Sequence, residues 1–196
     1  MKIKTQLCHS ISEDISTLKL EEVELADPGP EEVQVRVKAC SVNFPDLLMI
    51  QGKYQFKPPL PFSPGGELAG DVAAIGSNVT VCKVGDRVLT GARFGGFSEA
   101  INVPQEAIKP IPGELSYEKA ASYSTAYLTA YVALKIRGSL QPGETLLVHG
   151  ATGGVGMAAV DFGKHMGAKV IATGGTDEKL EVVKKRGADN VIHYTL

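Results

Sequence analysis

Four glycines, Gly150, Gly153, Gly154 and Gly156, fall within seven residues of the stretch VHGATGGVGMA (148–158). Glycine at that density leaves backbone N–H groups uncovered by side chains, the surface a phosphate needs if it is to approach the main chain closely. The spacing is G-x-x-G-x-x-G, with Val155 before the last glycine, rather than the more usual G-x-G-x-x-G, and a loop of this kind can also be no more than a tight turn. Its flanks favour the first reading. TLLVHG (145–150) reads as an apolar strand, and GVGMAAVDFGKHMGA (154–168) reads as a helix closed by Gly167. A glycine loop that joins such a strand to a helix N-terminus is where the pyrophosphate of a dinucleotide binds.

The next segment bears on which dinucleotide. A site for NAD places an Asp or Glu about 20 residues on, at the tip of the second strand, to accept from the ribose 2′-hydroxyl. Here the second strand, KVIAT (169–173), runs out into A-T-G-G-T with no carboxylate at its tip. Asp177 follows in the first turn of the next helix, where the helix dipole favours an acid in any case. Lys179 lies just beyond and can meet a 2′-phosphate. The reading favours NADP(H) over NAD.

The elements that position these residues alternate. DEKLEVVKKRGAD (177–189) is amphipathic, with Thr176 as N-cap and Gly187 as C-cap, and NVIHY (190–194) is a third apolar strand. Strand, helix, strand, helix, strand is the βαβαβ half of a doubly wound parallel sheet, the Rossmann pattern. LSYEKAASYSTAYLTAYVALKI (115–136) precedes it as a helix broken near Ser124 and Thr125. Before residue 115 the texture differs: EEVQVRVKA (31–39) alternates cleanly, and ELAGDVAAIG (67–76), VGDRVLT (84–90) and FSEAINV (97–103) follow as short runs between Gly and Pro turns. Such runs predict a small barrel or sandwich. The expected fold class is therefore α/β plus mainly-β. A strand-rich domain over 1–114 precedes a partial nucleotide-binding domain over 115–196, with the boundary in KPIPGELS (109–116).

Composition excludes several classes. With 43 % hydrophobic and 21 % charged residues among 196, the chain has the make-up of an ordinary globular protein. A net charge of −2 and the lack of a Lys/Arg block give no nucleic-acid footprint. No stretch approaches the roughly 18 apolar residues of a membrane span, and MKIKTQLCHS lacks the apolar core of a signal peptide. Cys8, Cys40 and Cys82 form no C-x-x-C pair, so they are expected to be reduced thiols of a cytoplasmic protein. His9, His165 and His193 have no metal spacing, and His149 reads as a packed histidine beside the loop.

Five stretches together carry a more specific likeness: CSVNFPDLLMIQGKYQFKPPLPFSPGGELAG (40–70), VGDRV (84–88), GGFSEAINVP (95–104), STAYLTAYVAL (124–134) and HGATGGVG (149–156). Through them the chain resembles the quinone oxidoreductase, or ζ-crystallin-like, branch of the medium-chain dehydrogenase/reductase superfamily. The resemblance implies a GroES-like β-barrel domain before the Rossmann half. It also implies hydride transfer from NADPH to a quinone or to the activated double bond of an enone or enoyl compound. It assigns the pyrophosphate to Gly153, Gly154, Val155 and Gly156, and the 2′-phosphate end to Gly175, Lys179 and Tyr194. Asn43, Tyr54 and Thr129 match positions that line the nicotinamide and substrate cleft, with Asn43 and Tyr54 as polar groups for the acceptor oxygen. Zinc-dependent relatives have Cys at the position of Asn43 and His at that of Gly66, so the resemblance implies chemistry without a metal. Members of the family carry three further strands and often form homodimers. A chain of 196 residues is therefore expected to be a shortened version, either still an NADPH-dependent reductase or a non-catalytic fragment.

Overall fold

The computed structural model describes residues 1–195. The chain divides into two compact units, Met1–Ser122 and Tyr123–Leu196. Among the described residues no helix is long and apolar enough to cross a membrane.

The first unit is built on antiparallel strands. β1 (Lys2–Leu7) and β2 (Lys19–Glu24) form a two-stranded ribbon. β3 (Glu32–Cys40), β4 (Glu67–Ile75), β5 (Arg87–Gly91), β6 (Ala100–Pro104) and β7 (Ile108–Pro110) form a sheet in the order β6-β3-β4-β5-β7. The alternation in EEVQVRVKA has its expected effect: Val33 and Val35 are fully buried and pack with Leu68, Val72, Val88, Val103 and Ile108. Burying each such side chain is worth about 1.5–3 kcal/mol. The ribbon joins the sheet through backbone hydrogen bonds from Gln6 to Phe97 and from Glu99 to Lys4.

Two helices complete this unit. α1 (Phe44–Ile50) follows β3 directly, started by Asn43 and by Pro45 in its first turn. α2 (Tyr117–Ala121), N-capped by the Ser116 hydroxyl, buries Ala120 and Ala121 against Ala69, Leu89 and Ile111. The helix just after the Pro/Gly stretch at 109–116 is thus part of the strand-rich unit, and the predicted 115–136 helix breaks at Ser122–Tyr123.

The second unit begins with α3 (Ser124–Tyr131), which runs on into a π-helical turn over Val132–Arg137. β8 (Thr145–Val148), α4 (Gly154–His165), β9 (Lys169–Gly174), α5 (Asp177–Lys185) and β10 (Asn190–His193) then alternate, and the strands are parallel in the order β10-β9-β8. This is the predicted βαβαβ arrangement. Its core joins Val148, Val160, Val170, Ala172 and Val183 from both faces of the sheet. Asp161 on α4 ties in the neighbouring elements, accepting from the Tyr127 hydroxyl at 2.5 Å and from Arg186 Nη1 at 2.9 Å.

Candidate functional site

The glycine loop leaves β8 at Val148 and enters α4 at Gly154, and each glycine has a different reason to be there. Gly150 has φ +61°, a conformation that side chains avoid. At Gly156 a Cβ would lie 2.4 Å from the Gly150 carbonyl oxygen, so only glycine lets α4 approach the loop. Gly153 and Gly154 are under no such constraint: a Cβ would meet nothing closer than 3.6 Å at the first and 3.8 Å at the second. Packing does not demand glycine at either, and both are exposed together with Val155. The loop is pinned beneath by the bond from Ala151 N–H to the Thr173 carbonyl at 3.0 Å. The first turn of α4 carries no acidic residue. The Gly153 N–H is taken up by the Gly150 carbonyl at 3.1 Å, so the groups left for an anion are the N–H groups of Gly154, Val155 and Gly156 in the first turn of α4, with no competing carboxylate there.

The tip of β9 lies at the same, carboxyl, end of the parallel strands. There a Cβ on Gly175 would stand 3.4 Å from the Tyr194 hydroxyl, so these two predicted residues are neighbours. Lys179, in the first turn of α5, is exposed, and its ammonium has no partner among the described residues. Asp177 is engaged: its Oδ1 lies 2.9 Å from His193 Nδ1. Thr129 is one turn along α3 from Ala126, whose Cβ faces Gly154. It is exposed and lines an apolar groove with Leu128, Val132, Ala133 and Arg137.

In the strand-rich unit Asn43 belongs to a half-buried polar cluster. Its Nδ2 donates to the Ser41 hydroxyl at 2.7 Å and to Glu67 Oε2 at 3.4 Å, while Ser41 donates to Glu67 Oε2 at 3.1 Å. Asp46 accepts from the backbone N–H of Asn43 at 2.7 Å and of Gly65 at 3.1 Å, which fixes the start of α1 against the PGGE loop. Glu67 and Asp46 are each only 2 % exposed. Burial pushes the Asp46 carboxyl above the usual range; the N–H groups of Asn43, Gly65 and Gly66 oppose this, and the neighbouring Glu67 charge adds to it. The Cys40 thiol beside them is pushed up to about 12 by burial, then by the Asp46 and Glu67 charges, so it is no nucleophile.

Tyr54 stands apart from this cluster. It follows α1, its backbone N–H bonded to the Leu48 carbonyl, and its ring packs on Cys8, Met49, Ile50 and Phe62. Its hydroxyl has no partner among the described residues. Asn43 and Tyr54 therefore differ as donors. Both hydrogens of the Asn43 amide are already engaged, whereas the Tyr54 O–H is open.

The chain thus has a strand-rich unit followed by the first half of a dinucleotide-binding fold, with a glycine loop at the β8–α4 junction. Comparison with known proteins agrees. The family described as "Alcohol dehydrogenase GroES-like domain" matches residues 29–113, and "Zinc-binding dehydrogenase" matches residues 154–196. A quinone oxidoreductase-like protein 2 homolog of Nematostella vectensis is 46 % identical over 169 residues, 85 % of this chain and 46 % of that protein. The quinone oxidoreductase of Lama guanicoe is 41 % identical over 180 residues, 90 % of this chain and 54 % of that protein. The crystal structure of Escherichia coli quinone oxidoreductase complexed with NADPH superimposes with a TM-score of 0.87 at 36 % identity, over 100 % of this chain and 59 % of that one. The chain belongs to the quinone oxidoreductase-like branch of the medium-chain dehydrogenase/reductase superfamily. It spans about half the length of the curated relatives it matches.

Ser41, Asp46 and Glu67 are not among the site residues expected from the sequence, where Glu67 stands only as a carboxylate without the N or S partners that zinc needs. The N-x-x-D spacing of Asn43 and Asp46 signals a helix start. Nothing local signals Glu67, which reaches Asn43 from 24 residues away on another strand.

Proposed function

We propose that the protein is an NADPH-dependent reductase of a quinone or of an activated C=C bond in an enone or enoyl compound. The observation that carries the reading is the loop itself: Gly153 and Gly154 keep space that none of the described residues fills, at the N-terminus of α4. Backbone N–H groups there would hold the pyrophosphate. Gly175, Lys179 and Tyr194 would hold the 2′-phosphate, with Lys179 as the charge and Tyr194 as a face and hydroxyl. Thr129 would contribute from α3. When bound, NADPH supplies a hydride.

The chain's own part is to hold the acceptor and stabilise the charge that develops on its oxygen. The Tyr54 hydroxyl serves as the donor, since it is open to an incoming ligand. Asn43 shapes the acceptor site, its amide held in one orientation by Ser41 and Glu67. Asn43 and Gly66 stand where zinc-dependent relatives have Cys and His, which supports a mechanism without a metal. The cysteine pattern supports a cytoplasmic setting.

The test is NADPH oxidation followed at the nicotinamide absorbance, with an ortho-quinone and with a 2-enoyl thioester as acceptors. Turnover that falls about 100-fold or more in Tyr54→Phe supports the reading. A folded protein that binds NADPH but reduces neither acceptor class favours a nucleotide-binding fragment.

A further inference from the structure

The end of β10 carries a hydrogen-bond cluster centred on His193. His193, the last residue of β10, has a side chain only 16 % exposed, against 85 % for its partner Asp177. Its Nδ1 lies 2.9 Å from Asp177 Oδ1. Its Nε2 lies 2.8 Å from the Gly175 carbonyl oxygen and 2.6 Å from Thr195 Oγ1, and Thr195 Oγ1 lies 3.2 Å from the same carbonyl oxygen. An ionised carboxylate only accepts, so Nδ1 carries its hydrogen and donates to Asp177. The half-buried ring is thereby fixed between α5 and the β9–α5 turn.

The partner it holds, Asp177, is the first carboxylate after the tip of β9. Asp177 is 21 residues beyond Gly156, about the distance at which a carboxylate reads a ribose 2′-hydroxyl. Left free, an exposed carboxylate there would accept from a 2′-hydroxyl and repel a 2′-phosphate. The other charges of this first turn are Glu178 and Lys179, both exposed. We infer that His193 is a specificity-determining residue for the cofactor: by binding Asp177 at the end of β10 it withdraws that carboxylate from the ribose, leaving the 2′ position to Lys179 and Tyr194 as a phosphate site. The inference rests on the NADP(H) reading above.

The experiment is equilibrium titration with NADPH and with NADH, followed by nicotinamide fluorescence. It compares the wild type, His193→Ala and the double variant His193→Ala/Asp177→Asn. The wild type prefers NADPH. His193→Ala lowers the NADPH-to-NADH affinity ratio about tenfold or more, chiefly by weakening NADPH. The double variant returns the ratio to within about threefold of the wild type, because no charge is left to repel the phosphate. Should His193→Ala not fold, His193→Phe keeps a ring in place, removes both nitrogens and carries the same expectation. An unchanged ratio in the single variant, or a double variant that does not recover, overturns the role of His193 and leaves the NADP(H) reading standing. A wild type that binds NADH as tightly as NADPH, or binds neither, overturns the reading and this inference with it.

Discussion

The Asn43 amide stands 3.4 Å from the Glu67 carboxylate, with the Ser41 hydroxyl bridging the two. Asn43 starts a helix, Ser41 begins the loop after β3, and Glu67 opens β4. Three separate elements thus fix one amide. A buried carboxylate that accepts from both an amide and a hydroxyl sets which way that amide faces.

Glu67→Gln keeps the volume of the side chain and removes the acceptor-only group. Its replacement amide can donate where the carboxylate could only accept, so Asn43 loses its fixed orientation. The expected result is a kcat with the quinone acceptor about tenfold lower, with KM for NADPH unchanged. Steady-state kinetics in both substrates checks it. A change confined to NADPH affinity would contradict the assignment.

The Asp46 carboxyl gives a pH signature. Burial raises its pKa in the folded state, so the folded protein binds this proton more tightly than the unfolded chain. Its contribution to stability is greatest in acid and is lost as pH rises through the carboxylate range. Asp46→Asn lacks that dependence and loses part of the acceptor for the N–H groups of Asn43 and Gly65. Urea unfolding of both proteins should show a deficit for the variant that is largest near about pH 4 and shrinks toward about pH 7. A deficit that grows with pH would run against this account.

Thr90 in β5 is 1 % exposed, and its hydroxyl has no partner among the described residues. An unmatched buried hydroxyl costs about 1–3 kcal/mol, and a same-shaped apolar group removes that cost. Thr90→Val is expected to raise stability by about 1 kcal/mol, seen as a higher denaturation midpoint with the slope unchanged. A loss of stability would show that the hydroxyl is satisfied.

The second unit was more legible in the sequence than the polar cluster of the first, for physical reasons. The loop at 150–156, the Thr176 cap and the three apolar strands are local signals: spacing, capping and period each act within a few residues. The Asn43–Ser41–Glu67 chain depends on β3 and β4 pairing, which no local pattern reports. The first ribbon was also unread. β2 alternates only weakly, as Lys19, Leu20, Glu22 and Glu24 are all exposed. His193 has no motif of its own. Its meaning comes from meeting Asp177 across the β10–α5 contact. The resemblance to a known family named Asn43 and Tyr54 together, and they differ in hydrogen bonding: the Asn43 amide is engaged by Ser41 and Glu67, while the Tyr54 hydroxyl has no partner among the described residues.

The central claim is that the 150–156 loop is open because a pyrophosphate sits on it. Gly153 separates this from a structural turn, since the protein has room for a methyl group there and has none at Gly156. The decisive measurement is the NADPH dissociation constant of Gly153→Ala beside that of the wild type, with both melting temperatures. The account predicts melting points within about 2 °C and an affinity at least about tenfold weaker in the variant. A Gly153→Ala protein that binds NADPH as the wild type does, or a folded wild type that binds none, would contradict it.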